Sequence, residues 1–133
     1  WKSNKKFKAE EARAADFILV KPLTFMNESG SAAAAALAYY KLSPEQLIVI
    51  HDDLDIALGK YKISVDSRSA GHNGVQSIID RLKTKNFRRI RIGIGAPALE
   101  KIPAEKFVLQ NFSPEELKII NSVILRVIKE GLA

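Results

Sequence analysis

Short apolar runs, each closed off by polar or turn-forming residues, set the limits on what this chain can become. Phe17-Ile18-Leu19-Val20 lies between Asp16 and Lys21-Pro22, and Leu47-Ile48-Val49-Ile50 stops at His51-Asp52-Asp53-Leu54-Asp55. Runs of this length and composition predict buried strands. Between them the Ala-rich segment Ser31–Tyr40 predicts a helix that Asn27 or Ser29 can cap. After a turn at Gly59, Tyr61, Ile63 and Val65 alternate with Lys62 and Ser64, the pattern of a half-exposed strand. Val75, Ile78, Ile79 and Leu82 then fall at helical spacing. Across Phe87 to Ile94, Ile90, Ile92 and Ile94 share one strand face while Arg89 and Arg91 share the other. Ser113-Pro114-Glu115-Glu116 is a capping box, and it opens a last helix with Leu117, Ile120, Val123, Ile124 and Val127 inward. This order of strands and helices predicts an α/β fold: a single-domain α/β sandwich with a mixed, mostly parallel twisted sheet flanked by helices.

The connecting stretches are read more coarsely. Trp1 to Ala15 is polar and basic and is expected to be a loop or exposed strand leading into the fold. Ser43-Pro44-Glu45-Gln46 predicts a short capped helical turn. Residues 93–103 suggest a mobile connection, and 105–111 a short helix or lid. With 133 residues the chain can bury a real core. Without cysteine it has no disulfide, thiolate metal site or thiol nucleophile, in keeping with a reducing cytoplasm. No apolar run reaches the ~20 residues that span a bilayer. The net charge of +6 suits a polyanionic partner such as nucleic acid.

Chemistry concentrates in three places. Gly71-His72-Asn73-Gly74 sits where a loop turns into a helix. Free backbone N–H groups and the helix dipole favour an anion there, and glycine lets a ligand approach the backbone. The same four residues also describe a plain loop with Asn73 as helix cap. Phe25 and Met26 precede Asn27 at the carboxyl end of a strand, where open α/β sheets bind ligands, although core packing also accounts for both. His51-Asp52-Asp53-Leu54-Asp55 suits either a metal site or a carboxylate that orients a histidine distant in sequence. His51 and Asp52 point to opposite faces of an extended segment and make poor partners for each other.

Taken together, Thr24-Phe25-Met26-Asn27-Glu28-Ser29-Gly30, His51-Asp52-Asp53-Leu54-Asp55, Gly71-His72-Asn73-Gly74 and Arg89-Ile90-Arg91-Ile92-Gly93-Ile94-Gly95 stand in the order and spacing of bacterial peptidyl-tRNA hydrolase. The resemblance runs from about Lys5 to the final helix. It implies an esterase that cleaves peptide from the 3′-terminal ribose of tRNA, with no metal or cofactor. Its partner would be peptidyl-tRNA rather than a membrane, its place the cytoplasm, and its state a monomer. Carried over, Asp52 resembles the carboxylate that keeps the catalytic His basic. Asn73 resembles a tRNA contact that also holds the attacking water. Phe25 and Asn27 resemble substrate contacts, with Met26 and His72 lining the same cleft. Lys62, Arg89 and Arg91 fall in the family's basic region and would hold tRNA phosphates.

The family's catalytic His lies in an N-terminal segment that precedes the resemblance. The chain, which opens on Trp1, is therefore expected to be a fragment: residues 1–133 of a hydrolase-like domain without the family's first strand and helix. An RNA-binding module of the same fold, working without the base, is the alternative. His72 as a replacement base and a metal-dependent hydrolase using His51, Asp52 and Asp55 are two further readings.

Overall fold

The computed structural model describes residues 1–14, 16–95 and 112–132. It divides into two compact units, Trp1–Leu47 with Val65–Arg88, and Ile48–Ser64 with Arg89–Ala133.

The first unit opens with a meander. Strands β1 (Lys2–Asn4), β2 (Ala9–Ala14) and β3 (Phe17–Pro22) form an antiparallel sheet in that order, with Asn4 opposite Ala9 and Ala9 opposite Pro22. The segment expected to be a lead-in is thus two paired strands. Phe7 and Ala9 explain why, since both are fully buried and pack with Ala36, Val20 and Tyr40. Two apolar anchors among lysines and glutamates suffice to seat a hairpin, and the flanking Lys and Glu side chains stay in water. The expected strand Phe17–Val20 is β3.

Helix α1 (Ser29–Tyr40) starts two residues before the expected Ser31 and ends on Lys41 in the left-handed conformation. Neither Asn27 nor Ser29 caps it. The Ser29 hydroxyl donates instead to the Met26 carbonyl (2.8 Å), closing a 3-10 turn over Met26–Glu28. Gln46 Oε1 accepts from the Ser43 N–H (3.0 Å), so the expected capped turn over Pro44–Gln46 is present. Helix α2 (Asn73–Leu82) buries Gly74, Val75 and Ile78, the face its periodicity predicted.

The second unit holds strands β4 (Ile48–Ala57), β5 (Tyr61–Val65) and β6 (Arg88–Gly95) apart from the end residues Val65 and Arg88, with β6 in the middle. Leu47 O accepts from Arg88 N–H, and Gly95 O from Leu58 N–H further along. Both chains advance together, so β4 and β6 run parallel. The fold is therefore α/β with mixed strands, and its antiparallel share is larger than the strand–helix alternation suggested because of the N-terminal hairpin. Strand β4 continues through His51-Asp52-Asp53-Leu54-Asp55, where sequence suggested that it ended. Asp disfavours strands, but Ile56 is buried and the pairing with β6 carries the polar residues along.

Helix α3 (Pro114–Arg126) is opened by the expected box: Ser113 Oγ accepts from Glu116 N–H (3.2 Å) and Glu116 Oε1 from Ser113 N–H (2.8 Å). It continues into a π turn over Val127–Gly131. Val123 and Val127 are buried with Ile90, whereas Leu117 and Ile124, expected inside, are exposed. The connection suggested for 93–103 begins inside β6; beyond residue 95 it lies outside the described residues, as does the suggested lid at 105–111.

Candidate functional site

In the first unit, the chain leaves β3, passes Thr24 and Phe25, and turns through Met26–Glu28 into α1. Phe25 is 82% exposed and Met26 57%. A core role for either is therefore excluded within the described residues. Asn27 and Asn73 are also exposed. The N-terminus of α2 lies against this turn: a Cβ on Gly74 would fall 2.6 Å from Met26 Sδ and 3.1 Å from His72 Cε1. Glycine at this position lets Met26 and His72 close over the start of the helix. The structure thus brings together Phe25, Met26, Asn27, His72 and Asn73, as the motifs suggested.

The cap of α2 is His72, not Asn73. Its Nδ1 accepts from the Val75 N–H (3.2 Å), which puts the hydrogen of the neutral ring on Nε2. A histidine held this way offers a donor, and its lone pair is already used. That removes the reading of His72 as a replacement general base. Asn73 is released from capping and keeps its amide for other partners.

A cavity of about 480 Å³ opens at Asn27, lined by Thr24, Asn27, Glu28 and Ser31 on one stretch of chain. Lys8 and, from α2, Ser77, Asp80 and Arg81 complete it. The motifs gave no hint of Lys8, Ser77 or Arg81. Their only signal was position, since Ser77 and Arg81 lie one helical turn apart on α2.

In the second unit, Asp52 sits half-buried within β4 rather than past its end. The His51 ring donates through Nδ1 to the Asp52 carbonyl (2.7 Å). Asp53, on the other face of the strand, accepts from Arg91 Nε at 2.8 Å and from the Asp55 N–H at 2.8 Å, and Arg91 Nη1 also donates to Ser64 Oγ (3.2 Å). Burial alone would raise the Asp53 pKa. The Arg91 guanidinium and the Asp55 N–H outweigh it and hold the carboxyl below its usual range. Arg89 is only 3% exposed. Burial, with the nearby Arg91 charge, lowers its pKa against the pull of Asp53.

Two expectations change here. Among the described residues no three His, Cys, Asp or Glu side chains are grouped to hold a metal, so the metal reading of His51, Asp52 and Asp55 fails: neighbours on a strand diverge. The arginine face of β6 is also not a surface. Arg89 is buried and Arg91 is bound by Asp53, so of the cations assigned to phosphate Lys62 is the exposed one.

A family profile described as "Peptidyl-tRNA hydrolase" matches residues 1–131. The chain belongs to the peptidyl-tRNA hydrolase family. The peptidyl-tRNA hydrolase of Aquifex aeolicus is 50% identical over 114 residues, covering 86% of this chain and 59% of that protein. The protein of the same name from Metamycoplasma arthritidis is 43% identical over 122 residues, covering 92% and 65%. A crystal structure of peptidyl-tRNA hydrolase from Acinetobacter baumannii superposes with a TM-score of 0.83 at 30% identity, covering 92% of this chain and 64% of that one. The chain thus spans roughly three-fifths of the length of the family members it matches. The motifs singled out by sequence all lie within the matched range. No described helix is long and apolar enough to cross a membrane.

Proposed function

We propose that the chain forms part of an esterase that releases tRNA from peptidyl-tRNA. The observation that carries this reading is the exposed row Phe25-Met26-Asn27, which leads into α1 and lies against the start of α2. A phenylalanine left in water beside an unengaged amide has no packing role here, and suits stacking on a base or ribose. Family membership supplies the substrate class.

The reaction needs a water, a base near neutral pKa and donors for the oxyanion. Water adds to the ester carbonyl carbon and its proton passes to the base. The tetrahedral intermediate then expels the ribose 3′-oxygen, which takes that proton. Asn73 and the Nε2–H of His72 are donors at the helix start, and Asn27 contacts substrate beside them. Asp52 orients the family's histidine and keeps it basic. Lys62 holds a phosphate. Such a substrate puts the protein in the cytoplasm.

The test is hydrolysis of N-acetyl-aminoacyl-tRNA by this chain, beside the same chain preceded by the family's histidine-bearing segment. Release of tRNA by either supports the proposal, and none by both would sink it. Asn27→Ala and Asn73→Ala should each weaken tRNA binding about tenfold, the size of one lost hydrogen bond, with an almost unchanged melting temperature because neither amide caps a helix. A large loss of stability with binding retained would return both residues to a structural role.

A further inference from the structure

We propose that the cavity at Asn27 is a site for a ribose-phosphate unit. Its volume, about 480 Å³, falls in the ~300–1,000 Å³ range of small-ligand sites. It rests on a fixed base, where α1 meets α2 and the Gly30 N–H donates to Ser77 Oγ (2.9 Å). Two cations, Lys8 and Arg81, line it together with two carboxylates, Glu28 and Asp80. Neither cation is engaged in an ion pair among the described residues. Thr24 Oγ1 is buried in the same wall with no hydrogen-bond partner there, and a buried hydroxyl left unpaired costs about 1–3 kcal/mol.

The charge balance selects the ligand. A bare phosphate would satisfy Lys8 and Arg81 but would face two carboxylates of its own sign. A neutral sugar would leave both cations without an anion in direct contact. A phosphorylated ribose satisfies all four: the phosphate takes the cations, and the vicinal hydroxyls donate to the carboxylates, as ribose hydroxyls do to acidic side chains in nucleotide sites. Thr24 then gains the partner it lacks. The proposed function bears on this site in one respect, the origin of the ribose-phosphate, which is a nucleotide of the RNA substrate or a free mononucleotide.

The probe is 5′-AMP, followed by calorimetry and by amide shifts of the chain. Saturable binding is expected, with shifts at Thr24, Glu28 and Ser31. Lys8→Asn and Arg81→Ala should each weaken it at least tenfold; asparagine tolerates the positive φ of Lys8 (52°). 2′-Deoxy-AMP should bind several-fold more weakly, a difference that Glu28→Gln should reduce. Displacement of AMP by a short single-stranded RNA would assign the site to substrate, and AMP binding that RNA leaves intact would assign it to a free nucleotide. No saturable binding, or binding that both cation variants leave unchanged, overturns the proposal. AMP binding with no hydrolysis of peptidyl-tRNA by either this chain or its histidine-extended form would sink the hydrolase reading and keep the site, and hydrolysis by either without AMP binding would sink the site alone.

Discussion

Gly30→Ala is expected to destabilise the protein by about 3 kcal/mol or more, against the sign that helix propensity predicts. In an ordinary helix interior, Gly→Ala gains about 1 kcal/mol. Gly30 lies in the first turn of α1, and a Cβ built on it would fall 2.1 Å from the Ser77 carbonyl oxygen, 2.6 Å from its carbon and 2.9 Å from Arg81 Cβ. The first two atoms are backbone of α2 and cannot rotate aside. The helices must therefore separate, which breaks the bond from Gly30 N–H to Ser77 Oγ and costs more than the usual ~1–3 kcal/mol of overpacking. Urea denaturation measures it directly. Ser77→Ala is the control: it removes the hydroxyl but keeps the close approach, and should cost about 1 kcal/mol. An unchanged or raised midpoint for Gly30→Ala would show that the helices are not in contact at this point.

That contact also shows where sequence reading reaches its limit. Helix α2 was legible because Val75, Ile78, Ile79 and Leu82 repeat at the helical period, and both capping boxes were legible because their partners lie three residues apart. Helix α1 is half alanine and apolar on every side, so its existence could be read but not its buried face. The reason for Gly30 lies 47 residues away at Ser77, beyond any local pattern. The hairpin of β1 and β2 was hidden because only Phe7 and Ala9 among its residues are fully buried. At the candidate site the motifs gave residue identities, while roles depended on geometry. His72 proved to be the cap, a role that one of two readings of the motif gave to Asn73, and the alternation of β6 gave no sign that its arginine face was covered.

Asp53→Ala is the second large effect, expected to cost about 2–3 kcal/mol. Removing one partner of a buried ion pair costs ~3–5 kcal/mol, and the figure is reduced here because the Arg91 side chain is 21% exposed. The loss extends beyond one bond. Asp53 also accepts from the Asp55 N–H, and its charge offsets the buried Arg89 as well as Arg91. Without it the repulsion between the Arg89 and Arg91 charges loses the carboxylate that offsets it. Asp53→Asn keeps the acceptor for Asp55 but not the charge, and should recover part of the loss. The pH dependence follows from the lowered Asp53 pKa. A carboxyl held below its unfolded value stabilises the fold fully above that value, about 3.9, and the contribution disappears as pH falls through the folded value. The urea midpoint of the unaltered protein should therefore fall more steeply below about pH 4 than that of Asp53→Asn. Parallel pH profiles would show that the ion pair contributes nothing to the fold. The consequence for chemistry is positional. Asp52 and Asp53 are adjacent on β4 and point to opposite faces, so the clamp from Asp53 to Arg91 on β6 fixes the strand that carries Asp52. If Asp52 orients the catalytic histidine, Asp53→Asn should lower kcat and shift the pH–rate profile while leaving KM for tRNA nearly unchanged.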